Sequence, residues 1–153
     1  MDILGDGPVA TKIPGWLERY SLRDKVSYLG KVPFTEIERH YREAHLLLFS
    51  SFRDNGGNQL MEAMAHGCVP MALAQGGSPL LIDHGKTGVI IPIEPIEHMV
   101  NFWAEWIARL DADRELLASM SRASYDACSS LLPECFLTKL EAWYDEAIEV
   151  GVL

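Results

Sequence analysis

Apolar positions along this 153-residue chain follow two patterns in succession. Up to about residue 92, short apolar runs alternate with stretches where apolar side chains recur every three or four positions. The runs at residues 2–4, 26–29, 45–50, 69–74 and 89–91 are too short for helices and are bounded by Gly, Pro or Ser, which predicts strands. The unbroken Leu46-Leu47-Leu48-Phe49 suits a strand buried in a parallel sheet. Helices are predicted at 13–20, 35–44, 58–66 and, briefly, 79–84. Thr35 followed by Glu38 has the form of a capping box, and Gly67 is placed as the C′ residue that stops the third helix. Strand and helix thus alternate as in parallel βαβ units, the sign of an α/β fold.

Beyond residue 92 helical spacing takes over, with Ile96, Met99, Val100, Trp103, Ile107 and Leu110 on one stripe and Phe136, Leu140, Trp143, Ala147 and Ile148 on another. Large apolar side chains in such stripes are expected to pack into a core rather than to hold a cofactor. The chain is therefore read as one domain, an α/β core over residues 1–92 followed by C-terminal helices over residues 93–153.

Composition narrows the partners. Apolar content of 48% with 23% charged residues is ordinary globular usage. A net charge of −9 argues against nucleic acid or an anionic membrane surface, because those contacts need Lys and Arg to neutralise phosphates. No apolar run reaches the length of a transmembrane segment, and the acidic start breaks into Gly5 too early for a signal peptide. Cys68, Cys128 and Cys135 are odd in number and lack CxxC spacing, which points to a reducing compartment such as the cytoplasm. The five histidines show no ligand spacing, so no metal is expected, and no P-loop, GxSxG elbow or Cys/His nucleophile pattern supports a hydrolase or phosphotransferase; no cofactor is expected.

Candidate chemistry concentrates in residues 50–74. Gly56 and Gly57 allow close approach of the backbone to a ligand, and the amides of the helix start at Asn58 offer donors to a phosphate. Asp54 and Glu62, eight positions apart, would repel that phosphate but accept hydrogen bonds from hydroxyl groups. A nucleotide sugar carries both kinds of group. Arg53, Lys31 and Lys86 are the nearby basic residues, with Arg53 best placed directly after a strand. Asp6, between Gly5 and Gly7, reads as a turn residue on spacing alone, and His66 suits the negative end of the helix dipole.

This stretch resembles the signature of the retaining group-one glycosyltransferases of the GT-B fold, in which Glu-x7-Glu precedes Ala-Met-Ala-x-Gly-x-Pro. Glu62 matches the second acid, followed by Ala63-Met64-Ala65-His66-Gly67-Cys68-Val69-Pro70, and Asp54 stands at the first. Further blocks follow the family's order: Ile3-Leu4-Gly5-Asp6-Gly7-Pro8, Val26-Ser27-Tyr28-Leu29-Gly30, Ser51, Gly76-Gly77-Ser78-Pro79 and Lys86-Thr87-Gly88-Val89-Ile90-Ile91. Two positions depart from the pattern. Asp54 is one methylene shorter than Glu, and Leu80 stands where the family usually has Glu.

The resemblance implies a Rossmann-like parallel sheet, in full a six-strand order 3-2-1-4-5-6 with the donor at the switch point. The block at Ile3 resembles the end of strand 2, so the expectation is a GT-B C-terminal half with its central first strand missing, a partial donor-binding domain with a helical C-terminal tail. The acceptor domain and the basic diphosphate clamp would lie in a missing N-terminal half or partner chain. Such a sheet would be marginally stable, would associate through exposed strands, or would pair the Ile3 strand directly with the Leu47 strand. By the resemblance, Glu62 holds ribose hydroxyls and Asp54 the sugar's hydroxyls, the two catalytic assignments. Gly56, Gly57 and Asn58 face the diphosphate with Ser51 and Arg53 beside them. Gly30, Lys31 and Val32 read the base largely by backbone, and Gly5 and Gly7 complete the donor-binding set. The expected ligand is a nucleoside-diphosphate sugar as substrate, in the cytoplasm or at a membrane reached through the missing half. A rival reading is a non-catalytic fragment or a subunit of a split transferase acting only with a partner; the Ala-Met-Ala block opposes a nucleotide-sugar epimerase.

Overall fold

The computed structural model describes residues 1–53 and 57–129, so Asp54, Gly56 and the predicted stripe from Phe136 to Ile148 lie outside the described residues. The chain forms two compact units, Met1–His40 and Tyr41–Leu153. In the first, β1 (Asp2–Leu4) and β2 (Ser27–Gly30) pair in parallel, joined by a 3-10 turn (Ala10–Lys12) and α1 (Ile13–Arg19). Asp2 lies opposite Ser27 and Ile3 opposite Tyr28, after which the register slips to set Leu4 against Gly30. Val26 is this unit's one buried apolar side chain.

α2 (Phe34–Glu43) opens one residue ahead of Thr35, which therefore lies inside the first turn instead of capping it. Pro33 provides the reason. Its restricted φ already suits a helix start, and its carbonyl accepts the Glu36 amide at 2.9 Å.

In the second unit, β3 (Leu46–Phe49), β4 (Val69–Leu73) and β5 (Val89–Ile91) form a parallel sheet in the order β3-β4-β5. α3 (Asn58–Ala65) and α4 (Ser78–Leu81) make the crossovers, with α4 displaced slightly ahead of its predicted span. Every residue of β4 is buried, as a central parallel strand requires. Val69, Met71 and Leu73 pack with Val89 and Ile91 against Met99, Leu110, Leu117 and Met120 from α5 (Ile96–Ala112) and α6 (Arg114–Ser129). Ala72, on the alternate face, packs with Leu60 of α3 and Ile82. The sheet is thus covered by helices on both faces.

These pairings are those of strands 3-2 and 4-5-6 in the six-strand order. Among the described residues the hydrogen-bonded neighbours are β1 with β2 in the first unit and β3 with β4 and β4 with β5 in the second. α5 also departs from its stripe: Met99, Phe102, Trp103, Trp106 and Leu110 face the core, whereas Ile96, Val100 and Ile107 are exposed. The sheet covers only one arc of the helix, and that arc includes Phe102 and Trp106.

Candidate functional site

The junction that follows β3 is shaped by local chemistry. The Ser51 hydroxyl accepts the Arg53 amide and donates to the Arg53 carbonyl, both at 3.2 Å, which turns the chain away from the strand and leaves the Arg53 side chain exposed. Gly57 then caps α3 in the left-handed region, at φ 61°, and is buried. A Cβ there would stand 2.6 Å from Leu81 Cδ1, the end of a flexible side chain that could give way, so it is the left-handed conformation that favours glycine. The Gly57 carbonyl accepts the Met61 amide at 3.0 Å, the first bond of the helix. The amides of Asn58, Gln59 and Leu60 precede it and find no acceptor within the helix, at the positive end of its dipole. Asn58 itself is exposed.

Leu60, Ala63 and Met64 anchor α3 to the sheet, and Glu62 sits half-buried beside that face. Its Oε2 accepts a hydrogen bond from Tyr41 Oη of α2 at 3.2 Å. Burial first, and then the Glu62 charge, push the Tyr41 phenol above its usual 10, so it remains a donor at neutral pH. The Tyr41 ring stacks on His66 with centroids 6.2 Å apart and planes 14° from parallel. α3 ends in a Schellman motif: Gly67, at φ 71°, donates to Met64 and Cys68 donates to Ala63, each at 3.0 Å. Ser121 of α6 donates to the Gly67 carbonyl at 2.6 Å. Cys68 is fully buried, which pushes its thiol up to about 12.

Sequence reasoning passed over Tyr41. It lies 21 positions from Glu62, and no spacing rule links a residue on one helix to an acid on another across an intervening strand.

Within the first unit the Gly5 amide donates to the Gly30 carbonyl at 2.7 Å, which brings these two predicted residues together at the ends of β1 and β2. Tyr28 Oη donates to the Gly5 carbonyl at 3.1 Å, and Asp6 Oδ1 accepts the Gly7 amide at 2.7 Å, the turn role expected of Asp6. Space beside Gly5, Gly7 and Gly30 is open, with no atom within 4 Å of a Cβ built there. Lys31 is exposed and Val32 half-buried. The predicted residues therefore form one set in the first unit (Gly5, Gly7, Gly30, Lys31, Val32) and one in the second (Ser51, Arg53, Gly57, Asn58, Glu62).

Lys86 pairs with Asp83 at 3.4 Å in solvent, and Leu80, on α4, is 90% exposed. Among the described residues no group of three His, Cys, Asp or Glu could hold a metal ion, and no helix is long and apolar enough to cross a membrane.

Residues 1–127 match the family described as glycosyl transferases group 1. A D-inositol 3-phosphate glycosyltransferase of Corynebacterium glutamicum is 26% identical over 131 residues, which is 86% of this chain and 30% of that protein. The chain thus spans about 30% of the length of the curated relatives it matches. Among solved structures, sucrose-phosphate synthase from Thermosynechococcus elongatus superposes with TM-score 0.77 at 22% identity, covering 97% of this chain and 38% of that one. Anabaena HepE, crystallised in complex with UDP-glucose, superposes with TM-score 0.73 at 22% identity over 84% of this chain and 35% of its own. At these identities the superpositions speak for the fold, which is that of GT-B glycosyltransferases, and the family match speaks for the sequence. The chain belongs to the group 1 glycosyl transferases.

Proposed function

We propose that this chain binds the nucleoside-diphosphate sugar of a retaining glycosyl transfer, and that transfer itself needs further polypeptide, in the same chain or a partner. The observation that carries the binding reading is the start of α3, where Gly57 caps the helix in the left-handed region, the amides of Asn58, Gln59 and Leu60 have no acceptor within the helix, and Glu62 lies one turn further along. Amides there suit a diphosphate whose negative charge grows as the sugar departs, and a carboxylate suits hydroxyl donors. In this reading Glu62 takes the ribose hydroxyls and Asp54 those of the sugar. Ser51, Arg53, Gly56, Gly57 and Asn58 serve the diphosphate, while Gly5, Gly7, Gly30, Lys31 and Val32 serve the base and its surroundings. The UDP-glucose complex of HepE supports this class of ligand. The free, buried thiols of Cys68 and Cys128 favour a reducing compartment such as the cytoplasm.

The need for further polypeptide is supported by relatives more than three times as long as the stretch they share with this chain. Titration of the chain with UDP, GDP and ADP tests the binding reading. We expect one of them to bind, and Glu62→Gln to weaken it about tenfold or more, the loss of a charge-assisted hydrogen bond. Unchanged affinity in that variant refutes the role of Glu62. Sugar transfer by the 153-residue chain alone refutes the need for more.

A further inference from the structure

We propose that Tyr41 is a positioning residue for nucleotide binding, its hydroxyl holding one oxygen of the Glu62 carboxylate so that the other faces the ribose; this rests on the ribose role proposed for Glu62. Tyr41 Oη donates to Oε2 at 3.2 Å, which leaves Oε1 as the atom to meet a ligand. A glutamate has three rotatable side-chain bonds, and capturing ribose with a freely swinging carboxylate forfeits that freedom at the moment of binding. A tether formed in advance removes the loss.

Tyr41 is suited to be the tether because it is itself held. Glu62 and His66 are one turn apart on the same face of α3, and Tyr41 lies along that face, its ring stacked on His66 and its hydroxyl on Glu62. The half-buried ring has two rotatable bonds and is packed at one end, so the hydroxyl position is fixed by the ring. Burial and the adjacent carboxylate keep the phenol protonated, so it has a proton to donate to Glu62.

Calorimetric titration with UDP, GDP and ADP, each beside its 2′,3′-dideoxy form, tests the proposal on wild type, Tyr41→Phe, Glu62→Gln and the double variant. Phenylalanine keeps the stack on His66 and removes only the donor. We expect Tyr41→Phe to weaken the ribonucleotide about three- to tenfold, the scale of one ordinary hydrogen bond, and to leave the dideoxy form unchanged. In the Glu62→Gln background Tyr41→Phe should have no further effect. Equal weakening of both nucleotide forms, or effects that add, would reduce Tyr41 to a packing residue and overturn the inference. If Glu62→Gln weakens the ribonucleotide while Tyr41→Phe does not, the inference fails and the role of Glu62 stands. If wild type binds no nucleotide, or binds both forms equally, both fail together. Should Tyr41→Phe not fold, a crystal structure of the wild-type nucleotide complex decides: Tyr41 Oη beyond hydrogen-bond reach of Glu62 overturns the proposal.

Discussion

Cys68 shows how burial alone sets the chemistry of a residue. It follows the glycine that ends α3, donates its amide to Ala63, and is sealed by the packing that begins β4. In the folded chain its thiol titrates at about 12, against 9.0 when unconstrained. Between those values the unfolded chain releases a proton that the native chain keeps, so the native state binds more protons and stability falls as pH rises. The contribution is intact below pH 9 and is lost progressively above it, with a slope of up to about 1.4 kcal/mol per pH unit. Urea unfolding from pH 7.5 to 10.5 should show this decline, and Cys68→Ala should flatten the part that begins near pH 9. The same burial should protect Cys68 from alkylation in the native chain, since the thiolate is the reactive form.

At the scale of elements, α5 is the most instructive. Its seventeen residues carry more large apolar side chains than one face can bury. Leu110 is buried against the sheet and α6, while Ile96 is exposed near the first turn. Leu110→Ala should cost about 2–5 kcal/mol in unfolding free energy, the range for a filled core site losing its side chain. Ile96→Ala should cost no more than about 0.5 kcal/mol, as a surface substitution does. Equal losses at the two sites, measured by denaturant titration, would mean that α5 is rotated from the orientation described.

For the molecule as a whole, the two units differ in how much apolar surface each hides. Apart from Val26, every buried apolar side chain among the described residues belongs to Tyr41–Leu153. Local opening is easiest where few apolar contacts must be broken. Native-state amide exchange should therefore be fastest in β1, α1 and β2 and slowest in β4 and β5. Protection in β1 equal to that in β4 would show that the first unit is stabilised by burial beyond what is described.

Sequence by itself determined the order and type of the elements, the parallel pairing, the stop at Gly67 and the family. Each of these is written in signals that span only a few residues: the apolar runs of β3 and β4, the glycine after α3, the Ala63-Met64-Ala65 block. It also marked Gly57 and Glu62, because a helix start and the turn above it are neighbours in the chain. Tertiary structure alone decided which arc of α5 is buried, that Pro33 rather than Thr35 opens α2, and that Tyr41 holds Glu62. The helix period restricts a side chain to a face, but the neighbouring sheet selects among faces of similar apolarity. A hydrogen bond between two helices depends on how both pack, and that geometry has no counterpart in local spacing.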